Sequence, residues 1–133
     1  MKQKLLITAV LVFFSSVTLA GLYQPAPVTV DLEQGAASGD MTTAANSNNK
    51  VEFIGCGSRS FEGGFHFGFC QASDAAGNQA TCFTEDPTLL DEIQGLSDRA
   101  FIQFNWTDDG AGNLTCVRVG SSTQSFYLDK VKP

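Results

Sequence analysis

His66 is the only imidazole in the chain, and Glu62 stands shortly before it in Phe61-Glu62-Gly63-Gly64-Phe65-His66. An imidazole beside a carboxylate is the pairing that a small hydrolase uses as its general base. No G-x-S-x-G elbow supplies a nucleophile for it. A lone strand histidine is more often exposed or half-packed than catalytic. His66 and Glu62 are therefore speculative functional residues, and no catalytic residue is assigned. A single imidazole also argues against a zinc centre, which takes several imidazole, thiolate or carboxylate ligands at set spacing. Asp108-Asp109-Gly110-Ala111-Gly112-Asn113 invites a calcium reading, but counting a twelve-position loop from Asn105 puts Cys116 where the closing Glu belongs. Neither a metal nor a cofactor is expected. Glu85, Asp86, Asp91, Glu92 and Asp98 cluster around one segment. Paired carboxylates can hydrolyse glycosides, yet acids near a helix start also complement its dipole.

Cys56, Cys70, Cys82 and Cys116 contain no C-x-x-C pair, which removes a thioredoxin-type redox centre and a zinc knuckle. They are expected to be structural disulfides. Four cysteines allow three pairings. A turn centred near Ala76 would set Cys70 opposite Cys82, so Cys70–Cys82 with Cys56–Cys116 is the favoured pattern.

The elements that must carry these residues are legible in outline. Residues 51–56 form a short apolar run. Phe65, Phe67 and Phe69 alternate, as in a strand with one buried face. If those rings point inward, His66, Gly68 and Cys70 lie on the opposite face. Residues 73–78 have turn chemistry, and residues 79–83 return as the hairpin partner. Asp86 is a good N-cap with Pro87 at the first helical position, and Leu89, Leu90, Ile93 and Leu96 follow at helical spacing. Gly95 is placed to end that helix in the left-handed conformation. Ala100, Ile102, Phe104 and Trp106 then alternate, residues 107–113 form a glycine-rich turn, and residues 114–119 return. Residues 124–128 would add a last strand. This order predicts an α+β fold: a small antiparallel sheet of two hairpins plus flanking strands, one short helix on one face, and disulfide staples.

Lys2 and Lys4 precede an apolar stretch over residues 5–14, and Thr18 and Ala20 are small. Residues 1–20 therefore read as an export signal cut after Ala20. Residues 21–49 carry Pro25, Pro27, Gly35 and Gly39 and end in Asn46-Ser47-Asn48-Asn49. Val28, Val30 and Leu32 alternate briefly, as in one edge strand, and otherwise these residues read as a flexible polar linker. The disulfide-stabilised domain is assigned to residues 50–133. A core that small is marginal without covalent help. The whole chain is 133 residues with 8 basic and 14 acidic side chains, net −6. Removing Lys2 and Lys4 with the signal leaves a net charge of −8. That sign works against nucleic acid and against anionic membranes. No apolar run after the signal is long enough to span a bilayer.

The stretch Cys70-Gln71-Ala72, Gly77-Asn78 and Cys82, then Asp86-Pro87 and Leu89-Leu90, then Phe101-Ile102-Gln103-Phe104-Asn105-Trp106 resembles small exported bacterial proteins of uncharacterised function. That resemblance implies a periplasmic or secreted location and carries no activity. The composition favours an exported binding or accessory module, for which a basic protein is the partner class. A small hydrolase using His66, and a surface protein that assembles through its own strand edges, are the alternatives.

Overall fold

The computed structural model describes residues 21–129. The expected export signal lies outside the described residues, as do residues 130–133. The elements follow as β1 (Thr29–Asp31), β2 (Ala36–Asp40), α1 (Met41–Ala45), β3 (Phe53–Ser60), β4 (His66–Ser73), β5 (Gln79–Thr84), α2 (Pro87–Gln94), β6 (Phe101–Asp108) and β7 (Leu114–Ser122), then a 3-10 turn (Ser125–Tyr127) where a last strand was expected. One seven-stranded sheet has the order β1-β2-β6-β7-β5-β4-β3.

The sheet is mixed, not antiparallel. Its β5 and β7 run parallel, meeting at Phe83 and Thr115, while the other pairings are antiparallel. The connection explains this. The chain leaves β5 through α2 and lays β6 one place beyond, so the returning β7 fills the gap in the direction of β5. Helix α2 starts as its sequence demands: Asp86 Oδ1 accepts from the N–H groups of Thr88 (2.9 Å) and Leu89 (3.1 Å), with Pro87 in the first turn. Gly95 keeps a right-handed conformation at φ −82° and donates back to the Asp91 carbonyl at 3.1 Å, so no left-handed cap forms.

Residues 21–49 are not a linker. Strand β2 pairs with β6, Val28, Val30 and Ala37 are buried in the common core, and β1 closes one edge. Backbone bonds tie the segment down: Gln24 N–H donates to the Phe126 carbonyl, and Asp40 N–H to that of Ala26, both at 2.8 Å. Composition hid this because β2, Ala-Ala-Ser-Gly-Asp, has almost no strand propensity. Small residues are needed there, since the backbone of Val28 approaches Gly39 too closely for a Cβ to fit without displacement. Gly35 turns the β1–β2 hairpin at φ +62° against the carbonyl of Trp106, which excludes any larger residue.

The core lies on the sheet face that carries both helices. Ile102, Phe104 and Trp106 of β6 point into it, as the sequence pattern predicts. In β4 the large and small residues are reversed. Gly68, Cys70 and Ala72 face the core, and the phenylalanines face out. Helix α2 decides this, because Ile93 and Leu90 press onto Gly68 so closely that a Cβ would lie 2.7 Å from Ile93 Cδ1. Burying the rings would leave no room for the helix.

Disulfides join Cys56 to Cys70 and Cys82 to Cys116, correcting the favoured pairing. Cys70 does stand opposite Cys82, but it stands opposite Cys56 as well. The Asp74 N–H bond to the Asn78 carbonyl and that of Phe61 to Phe65 fix the ladder phases. Cys70 and Cys82 are then a hydrogen-bonded pair, whose Cα atoms sit about 5.5 Å apart, while Cys56 and Cys70 are a non-hydrogen-bonded pair with closer side chains. Their Cα–Cα distance is 4.0 Å.

Two hairpins share one turn, Asp74-Ala75-Ala76-Gly77-Asn78 and Asp109-Gly110-Ala111-Gly112-Asn113. In each, the aspartate accepts from the N–H groups two and four residues on and from the asparagine side chain. The Asn78 and Asn113 amides, with those backbone donors, hold both carboxyls below the ordinary value of 3.8. A depressed folded pKa adds stability above the unfolded value, and that stability is lost as pH falls through the folded one. Amide exchange in both turns, corrected for intrinsic rates, is expected to stay slow down to about pH 4 and to quicken together below it. Turns that loosen well above pH 4 would contradict the assignment.

Candidate binding face

Strands β4 and β5 carry Phe67, Phe69 and Phe83 on the face turned away from the helices, Phe67 and Phe69 half-buried and Phe83 exposed, and the β3–β4 turn adds Phe61 and Phe65. The five rings form one connected row with centroids 5.8–6.5 Å apart. Phe61, Phe65 and Phe83 are each more than half exposed, at 55%, 52% and 52%. The Phe69 ring covers Gly57, its cross-strand neighbour, and the Arg59 guanidinium lies 5.0 Å above that ring. A groove of 460 Å³ runs beside the row between Phe65, Phe67, Phe83, Thr84, Glu85 and Thr115. Its one charged wall residue is Glu85, and Glu62 sits exposed next to Phe61.

The three half-exposed rings leave about 100 Å² each in water and the two less exposed ones about half that, so the row amounts to about 400 Å² of apolar surface. Patches of that size on small proteins are commonly functional. Burying it would contribute roughly 10 kcal/mol, which the entropy of association reduces to weak or moderate affinity. The far half of the same face differs. There a smaller groove of 230 Å³ is lined by polar groups, among them Thr29, Asp31, Ser38, Gln103, Asn105 and Arg118.

His66 is exposed at the start of β4, with Nδ1 3.3 Å from the Gly64 carbonyl oxygen. No hydrogen bond joins it to Glu62 among the described residues, and the walls of the aromatic groove come from its neighbours Phe65 and Phe67. Asp108 and Asp109 are occupied as turn acceptors. Asp86 caps α2, and Glu92 accepts from Ser121 Oγ at 2.7 Å. The aromatic face went unrecognised in the sequence because alternating phenylalanines read as core. The signal was the other parity of β4, where Gly68, Cys70 and Ala72 suit a surface under a helix.

Fold and face together define a disulfide-stapled α+β protein with one helix-covered sheet face and one open, partly aromatic face. Comparison with protein-family models, with curated proteins and with solved structures finds no match to this chain. Two disulfides are bonds of an oxidising compartment, and no helix among the described residues is long and apolar enough to cross a membrane.

Proposed function

We propose that this protein is an exported binding module, working in the periplasm or outside the cell, whose aromatic face holds a cationic amphipathic segment of a protein partner. The observation that carries the reading is the exposed row of five phenylalanines flanked by Glu62 and Glu85. Charge selects the partner. The chain is net −6, and the one cation on the row among the described residues, Arg59, is already engaged with Phe69. Size selects a segment rather than a domain, because about 400 Å² is half of what each side of a standard protein interface buries. Apolar side chains would lie along the rings while Lys or Arg met Glu62 and Glu85, and the acidic field would speed encounter.

A synthetic helical Lys/Leu peptide, titrated by calorimetry, tests this. It is expected to bind with a Kd of about 1–100 μM, more weakly as salt rises, while the Glu/Leu counterpart does not bind. Replacing Phe65 and Phe83 together by serine, both largely exposed, removes two anchors and is expected to weaken binding at least about tenfold. Equal binding of the acidic peptide, or undiminished binding to F65S/F83S, would refute the proposal.

A further inference from the structure

The sheet ends on one side at β1, three residues long and carrying Asp31, and on the other at β3, eight residues long. Short or charged edges resist pairing with another chain, and long flat ones invite it. Strand β3, Phe-Ile-Gly-Cys-Gly-Ser-Arg-Ser, has no proline and no acidic residue, although the chain as a whole is strongly acidic. The Phe61–Phe65 bond fixes the phase of the β3–β4 ladder, so Gly55, Gly57 and Arg59 bond to β4. Ile54, Cys56 and Ser58 therefore turn their N–H and carbonyl groups away from β4, to the side on which no strand pairs, while α1 packs close to the same strand. Among the described residues only one of these six groups has a partner: the Ser58 carbonyl accepts from Arg59 Nη1 at 2.8 Å.

We infer that two copies of this chain pair antiparallel through β3, about a two-fold axis at Cys56. In that register Cys56 faces its own copy, and Ile54 exchanges both backbone hydrogen bonds with Ser58 of the second copy. Arg59 then leaves the Ser58 carbonyl and lies across from Phe53 of the second copy, a 41% exposed ring that accepts a cation on its face. Beyond the strand ends the chain leaves the extended conformation, with Lys50 at φ +62° and Glu62 in the β3–β4 turn, so exposed Lys50 and Val51 come to the same end of the seam as exposed Phe61 and Glu62 of the second copy. An isologous contact requires a surface complementary to itself. This stretch meets that requirement in charge, in apolar contact and in backbone phase. The product is a fourteen-stranded sheet in which the two aromatic rows become one continuous face. The two-fold symmetry and the lack of acid on β3 favour a second copy over a foreign strand.

Sedimentation equilibrium of the purified, oxidised protein at physiological salt, from about 1 to about 300 μM, tests this directly. A reversible dimer is expected. With its formation, amide exchange should slow at Ile54, Cys56 and Ser58, while Gly55 and Gly57, already bonded to β4, stay unchanged. S58P removes an outward N–H and is expected to give a monomer. Because proline could also disturb the fold, K50E and E62K, both at exposed positions, supply a second test. Each is expected to weaken the dimer about tenfold, and the double variant K50E/E62K to restore it to within about threefold. A protein that stays monomeric throughout this range would overturn the inference. So would a dimer whose edge amides gain no protection, or one that F65S/F83S abolishes while K50E and E62K leave it intact.

Discussion

Replacing Cys82 and Cys116 together by alanine is expected to lower unfolding stability by about 4 kcal/mol, and replacing Cys56 and Cys70 by about 3 kcal/mol. The difference comes from the loops that the bonds close, with sequence separations of 34 and 14. A longer closed loop removes more freedom from the unfolded chain. The first bond also joins two halves of the sheet, because β5 and β7 otherwise meet at a single parallel bridge. A domain of this size holds about 5–15 kcal/mol in total, so the Cys82–Cys116 variant should lie near the edge of folding. Urea denaturation of both double variants, beside the oxidised parent, checks the order. If the shorter loop proved the costlier to lose, β7 would be held by contacts other than the bond. Peptide mapping without reduction tests the pairing itself, and a Cys70–Cys82 peptide would contradict it.

The second large effect is expected at Asp40. Its side chain is fully buried and caps α1: Oδ1 accepts from Thr43 N–H at 2.7 Å, and Oδ2 accepts from Ala26 N–H and the Thr43 hydroxyl, each at 2.6 Å. Alanine would leave two part-buried backbone donors without their acceptor and remove the cap. Bonds to a charged group contribute about 1.5–3 kcal/mol and an N-cap about 1 kcal/mol, so Asp40→Ala should cost about 3–4 kcal/mol. Asp86 plays the same role for α2 but is exposed, and Asp86→Ala should cost only about 1 kcal/mol. The urea midpoints of the two variants separate burial from capping. Equal losses would mean that the Ala26 contact contributes nothing.

Asp40 also marks where the sequence stops being transparent. It closes a strand built from alanine, serine and glycine, whose pairing depends on what lies against it rather than on propensity. Where one strong local rule applies, as at Asp86-Pro87 or along Ile102, Phe104 and Trp106, element and face were both legible. Along β4 the period of two was legible but the choice of face was not. Alternating Phe with Gly, Cys and Ala leaves two faces that could each be buried, and the helix that selects between them comes later in the chain. The disulfides show the same limit. The hairpin register of Cys70 and Cys82 followed from the turn, but the phase of the ladder and the presence of β3 on the other side decided which neighbour Cys70 joins. The Asp-x-Ala-Gly-Asn pattern shared by the two turns went unrecognised, and only their hydrogen bonds show the carboxylates as turn acceptors. The aromatic face followed only once the inner parity of β4 was known.

Mapping the bound Lys/Leu peptide by amide chemical shifts on the isotope-labelled protein tests the central claim most directly. Perturbations are expected at Phe67 and Phe69 of β4, at Phe83 and Glu85, and at Phe61, Glu62 and Phe65 of the β3–β4 turn. The polar half of the face, at Ser38, Gln103 and Arg118, should stay unmoved. Shifts concentrated on that polar half or on α2, with the phenylalanine row silent, would contradict the account.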